Sequence, residues 1–158
     1  MTTRLSRPLV GLLLAAAVLV GSAASPAAAA PPPSDTNYGE ARILWLLNEE
    51  RRARGLGPVV RNAGADHIAQ YSANIQAWYG RLGHNPNLGA DVTRHVGPWW
   101  FVGENVGCAA DADRLHYLWV RSSGHVANMV RQGVDTVGIG TVYARGCLWA
   151  TVVFTDRQ

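Results

Sequence analysis

The chain has 158 residues and a formal charge of +3, with fourteen arginines, no lysine and eleven carboxylates. That length fits one domain of ordinary size. Arg4 and Arg7 belong to an export signal, and the twelve remaining arginines against eleven acids leave about +1. The sequence pI of about 9.2 is therefore no argument for nucleic-acid binding.

Leu9–Val20, LVGLLLAAAVLV, is an apolar run too short to span a bilayer comfortably, and the small residues GSAASPAAAAPPP follow it. Residues 1–30 read as a signal peptide, with cleavage after Ala24 or between Ala28 and Ala30. An uncleaved N-terminal anchor is the alternative. Residues 31–37 read as a linker and 38–158 as the folded domain of a secreted protein with no stable membrane span after cleavage.

Asn37 and Glu40 stand at capping-box spacing. A helix is predicted over Tyr38–Arg54, with Ala41, Leu44, Trp45, Leu47 and Asn48 on its inner face. The basic run Arg51–Arg54 is expected to be its solvated end, complementing the helix dipole. A second helix is predicted over Ala63–Tyr79, where Ala65, Ile68, Ala69, Ser72, Ile75 and Tyr79 recur at helical spacing. Residues 86–101 show no regular period and are predicted to be a long loop. VGENVG, 102–107, reads as a short buried strand in which an ionised Glu104 needs a partner. A third helix is expected over Ala112–Arg121 behind an Asp cap, burying Leu115, Leu118 and Trp119. A short helical turn is placed after His125. VGIGTVYA (137–144) and CLWATVVFT (147–155) read as strands joined by a hairpin turn at Arg145-Gly146. Helices first and paired strands last give an α+β class with helices packed on an antiparallel sheet. Trp45, Trp78, Trp119 and Trp149 are assigned to the core.

The two cysteines, Cys108 and Cys147, favour a disulfide in an exported chain, with two buried thiols as the alternative. Of the five histidines, His67 and His116 sit inside predicted helices and His95 in the irregular segment. His84 and His125 each lie beside glycine at a predicted helix edge, where the backbone can aim a side chain into a cleft. Their spacing is no metal motif. For Ser123, capping of the His125 turn is the plainer role.

LLNEERRARGLGPV (46–59), LGHNP (82–86), GENVG (103–107), WVRSSGHVANMV (119–130) and VGIG (137–140) together resemble the CAP superfamily of cysteine-rich secretory, antigen 5 and pathogenesis-related 1 proteins, in its small bacterial secreted branch. The resemblance covers about residues 38–156. It implies a three-layer α-β-α sandwich with an antiparallel central sheet and a shallow cavity lined by two His and two Glu. His84, Glu104 and His125 match three of these, while Ser122 stands where the second Glu would be. Val152 replaces a Gln frequent near the family's C-terminus. The implied metal set is His84, His125 and Glu104, for Zn²⁺ or another divalent cation. The implied function is an extracellular binding or effector module. A weak metal-dependent or serine-type hydrolase is the first alternative, with Glu104, His125, Ser122 and Ser123 as catalytic candidates. Lipid or sterol binding is the second, with Trp99, Trp100 and Phe101 as an apolar rim or else packed on the sheet. The expected partner is an extracellular ligand, a lipid or a cell-envelope component, and not a nucleic acid.

Overall fold

The computed structural model describes residues 38–156. The predicted signal peptide, the linker and the Asn37 cap lie outside the described residues.

Helix α1, Tyr38–Arg52, has Glu40 in its first turn and Arg51 and Arg52 in its last, which suits its dipole. Its buried stripe is Gly39, Ile43, Leu47 and Arg51, spaced by four. That stripe is rotated from the predicted one. Ala41 and Trp45 face solvent, and the Arg42 guanidinium lies 4.4 Å from the centre of the Trp45 ring. Arg51 is the larger correction, because it is buried rather than solvated. Its guanidinium donates to the carbonyls of Gly57 (2.8 Å), Met129 (3.0 Å), Arg131 (3.1 Å) and Val134 (2.7 Å). Burial pushes its pKa down, with Asp135 opposing. Five N–H donors in a planar fork let one arginine satisfy carbonyls from two separate stretches of backbone.

Strand β1, Val60–Arg61, pairs in parallel with the later strand β3. Asn62 then caps α2, Ala63–Tyr79, accepting from Gly64 N (2.9 Å) and Ala65 N (3.1 Å), and Gly80 ends it in the left-handed conformation. Its bounds match the expected helix, but Ile75 and Tyr79 are exposed, and Ala73, Gln76 and Ala77 are buried instead.

Helix α3, Leu88–His95, occupies what was predicted to be loop. Its apolar positions Leu88, Val92 and Val96 are spaced by four, and all pack in one cluster with Ile68 and Val153. Strand β2, Val102–Ala109, contains the whole VGENVG stretch. Asp111 caps α4, Ala112–Val120, which buries Leu115 and Trp119 and leaves Leu118 exposed. Helix α5, Ser123–Met129, includes His125 rather than following it. Strands β3, Thr136–Ala144, and β4, Cys147–Thr155, flank Arg145 (φ 55°) and Gly146 (φ 71°). Two left-handed residues make the primed turn that matches the twist of a two-residue hairpin.

The sheet runs β1-β3-β4-β2. It is mixed, correcting the antiparallel expectation: β3, β4 and β2 are antiparallel neighbours, and β1 is parallel to β3. A two-residue strand carries no periodic signal, so only its long-range pairing reveals it. Helices α2 and α3 pack on one face with Val153, and α1, α4 and α5 on the other with Val137, Ile139, Val152 and Phe154. The α2 face is unusually close. A Cβ on Gly138 would lie 2.0 Å from the Ala65 carbonyl carbon, and one on Gly140 would lie 2.2 Å from Gln70 N. Helix backbone rests on strand backbone there, which is why α2 presents mainly Ala, Ser and Gln. Trp119 and Trp149 are in the core, whereas Trp45 and Trp78 are on the surface. Cys108 and Cys147 form a disulfide with Cα atoms 5.7 Å apart across 39 residues, fastening edge strand β2 to β4.

Candidate functional site

Strand β2 is the outer strand of the sheet, and successive side chains on a strand point to opposite faces. Glu104 therefore turns to the α2 face and Asn105 to the α5 face. Each collects one of the two candidate histidines.

On the α2 face the Glu104 side chain is only 2% exposed. Its Oε2 accepts from the Nδ1–H of His84 at 2.9 Å and from the backbone N–H of Asn85 at 2.9 Å. Its Oε1 accepts from the Ser72 hydroxyl at 3.3 Å. These three donors offset the cost of taking a carboxylate out of water. The chain continues inward: Gln76 Nε2 donates to Ser72 Oγ (3.0 Å) and to Thr151 Oγ1 (2.9 Å). Gln76 Oε1 is buried without a partner among the described residues. Ser72, Gln76 and Thr151 were not singled out as site residues. The available signal was Ser72 and Gln76 four apart on the buried stripe of α2, where apolar side chains are the rule.

His84 itself is 64% exposed, on the loop between α2 and α3. With Nδ1 bonded to Glu104, Nε2 is the ring nitrogen not taken up by that contact. A cleft of about 130 Å³ opens beside it, lined by Tyr71, Ser72, Ile75, Gln76 and the loop 83–86. This is well below the volume of a typical pocket for an organic ligand, roughly 300–1,000 Å³.

On the α5 face Asn105 Nδ2 donates to the His125 carbonyl at 3.1 Å, and Asn128 Nδ2 donates to Asn105 Oδ1 at 2.9 Å and to the Glu104 carbonyl at 3.3 Å. Asn105 and Asn128 thus bond backbone and bridge α5 to β2. The His125 ring is half-buried, 6.2 Å from the Trp119 ring, and its Nδ1 is buried without a partner among the described residues. Burial lowers its pKa, and repulsion from His84 lowers it further.

Ser122 occupies the N-cap of α5 without a side-chain cap bond. The capping role foreseen for Ser123 is not seen, since the cap position is one residue earlier. Among the described residues no hydrogen bond joins either serine to His125, and the Glu104 oxygens are engaged by Ser72, His84 and Asn85. Among the described residues no group of three or more His, Cys, Asp or Glu is placed to hold a metal ion. Glu104 stands behind His84, and Asn105 holds the backbone of His125.

The aromatic trio before β2 diverges. Trp99 is half-buried and donates to Gly89 O (3.3 Å) and Thr93 Oγ1 (3.0 Å), Trp100 is exposed, and Phe101 lies 4.0 Å beneath the Arg131 guanidinium. Asp156 Oδ1 fixes this bend by accepting from the N–H groups of Trp100 and Phe101. His67 and His95 come together elsewhere, with ring centres 5.1 Å apart on α2 and α3.

The cysteine-rich secretory protein (CAP) family model matches residues 44–154. An outer surface protein of Borrelia burgdorferi is similar in structure, with a TM-score of 0.71, 14% identity, and coverage of 78% of this chain and 96% of that one. A cysteine-rich secretory protein of Staphylococcus aureus gives a TM-score of 0.68 at 20% identity, over 80% of this chain and 41% of that one. The match thus spans less than half of the staphylococcal chain. NaASP2, solved with Zn²⁺, gives a TM-score of 0.53 at 14% identity, over 77% of this chain and 82% of that one. At these identities the structural likeness shows the fold alone. No curated protein sequence matches the chain.

Proposed function

The chain belongs to the cysteine-rich secretory protein family, and from that premise we propose that His84 and His125 bind a divalent cation in a small extracellular binding or effector module. The observation that carries this reading is the 2.9 Å bond from His84 Nδ1 to Glu104. A carboxylate behind an imidazole fixes its tautomer, aims its Nε2 outward and raises its basicity, which is the usual support for a metal-bound histidine. The depressed pKa of His125 favours the neutral ring, the form that ligates. Two nitrogens plus water suit Zn²⁺, and a cleft of about 130 Å³ suits a hydrated ion better than a lipid chain. NaASP2 has been solved with Zn²⁺. Glu104 acts in this reading as the residue that positions His84, and not as a third ligand.

The bound cation would supply Lewis acidity to a ligand; Glu104, itself held by Ser72 and Asn85, orients His84. Isothermal titration of Zn²⁺ into the wild type, His84→Ala, His125→Ala and Glu104→Gln tests the proposal. Both histidine variants are expected to lose binding, and Glu104→Gln to weaken it about 10- to 100-fold with the fold intact. Equal binding by all four proteins would reject it.

A further inference from the structure

Helix α2 carries an exposed stripe that the cation site does not use. Tyr71, Ile75, Trp78, Tyr79 and Leu82 follow one another at offsets of four, three, one and three residues along the helix and into its terminal turn, so they share its outer side. Tyr71 is 64% exposed, Trp78 77% and Tyr79 71%. Three other aromatics are covered by cations: Arg42 lies over Trp45, Arg114 and Arg121 over Tyr117, and Arg131 over Phe101, whereas Trp100 and Tyr143 are exposed singly. No guanidinium lies over Tyr71, Trp78 or Tyr79 among the described residues.

The charged side chains carried by the stripe and the adjoining hairpin turn are arginines, and the nearest carboxylates, Asp91 and the buried Glu104, are engaged by Asn85 and His84. The sequence holds no carboxylate between Asp66 and Asp91, and none between Asp135 and Asp156 on the hairpin beside it. Arg81 is exposed within the stripe. Arg145 reaches across from the β3–β4 turn, donating to Ala77 O (3.2 Å) and Trp78 O (3.1 Å). It thereby holds the end of α2 in place and forms, with Asn74 and Trp78, the wall of a cleft of about 410 Å³.

We propose that this end of α2 is a docking surface for an anionic phospholipid bilayer, with Trp78, Tyr79 and Leu82 entering the headgroup region and Arg81 and Arg145 facing lipid phosphates. Tyr and Trp present an apolar body with a polar tip, the composition favoured at membrane–water interfaces, and flanking arginines add attraction to anionic lipid. The area argues against a second copy of the chain as occupant. Three rings of roughly 150–250 Å² each, about two-thirds exposed, make a patch on the order of 400 Å². A stable dimer buries about 800 Å² per partner. His84 follows Leu82 by two residues, so docking would hold the cation site against the membrane surface.

The test is co-sedimentation of the full chain with vesicles of phosphatidylcholine alone and with equimolar phosphatidylcholine and phosphatidylglycerol. The expected result is binding to the anionic vesicles that falls as salt is raised. Trp78→Ser combined with Tyr79→Ser should weaken it about tenfold or more. Arg81→Gln should weaken it about fivefold. Trp100→Ser, an exposed tryptophan away from the stripe, is the control and should leave it unchanged, with circular dichroism confirming the fold of each variant. Absence of vesicle binding overturns the proposal, as does binding that the Trp78/Tyr79 variant retains. A concentration-dependent dimer in sedimentation equilibrium, removed by the same two substitutions, overturns it in favour of self-association.

Discussion

Glu104 and Asn105 are neighbours on one edge strand and serve opposite faces of the sheet in different ways. Glu104 grips the side chain of His84 and a backbone N–H, whereas Asn105 grips only the backbone of His125. One imidazole is thus oriented by a charged acceptor and stays mostly exposed. The other is positioned by its helix, half-buried against Trp119, with Nδ1 unpaired. The difference teaches that a strand at the edge of a sandwich brings together groups from both outer layers, because its far side is closed by no further strand.

Reduction of the disulfide should loosen both arms at once, since Cys108 lies on the strand they share. The chain-entropy model gives a loss of up to about 4 kcal/mol for a loop of 39 residues, read as a lowered urea midpoint. An unchanged midpoint with two titratable thiols would reject the bridge. Glu104→Ala breaks one arm only. It leaves Ser72, His84 and Asn85 without their acceptor and should cost about 3 kcal/mol, while the nitrogen NMR signals of His84 shift toward a tautomer mixture. Asn105→Ala breaks the other arm, at about 2 kcal/mol, by stranding the His125 carbonyl and Asn128. It should move the His125 ring signals and leave those of His84 in place. If both histidines respond equally to each substitution, the two arms are not separate.

The smallest expected effect is on pH. His125 is held below the ordinary imidazole value by burial and by His84, and His116 by burial. The unfolded chain then binds these protons more readily than the folded one. Stability is complete above the unfolded value of about 6.5 and falls as pH drops below it toward the folded values. His125→Gln should flatten part of that decline in urea titrations. A decline unchanged in His125→Gln would sever this link.

Helix α2, the β3–β4 hairpin and its turn were legible in order and nearly to the residue, because long periods and turn residues are local signals. So was the need of Glu104 for a partner. Helix α3 was missed although Leu88, Val92 and Val96 repeat by four, since glycine and short length hide so weak a stripe. Arg51 misled for a related reason: basic residues at a helix end normally face water, and three of the four carbonyls that make its burial tolerable come from residues 78 to 83 positions away. The expected faces of α1 and α2 were off by a residue or two because the surfaces they pack against lie on other elements.

The chain's own local chemistry thus determined most of the segments that become helix and strand, that the two cysteines should pair, and, through five ordered motifs, the family. Only the tertiary structure decided that β1 is parallel and that Glu104 meets Ser72, His84 and Asn85. It alone turned the exposed rings of α2 outward. Hydrogen bonds within helices and turns join near neighbours, and so leave a pattern in the sequence. Contacts across layers join residues tens of positions apart, and whether a polar or aromatic side chain is satisfied there depends on what the fold places opposite it.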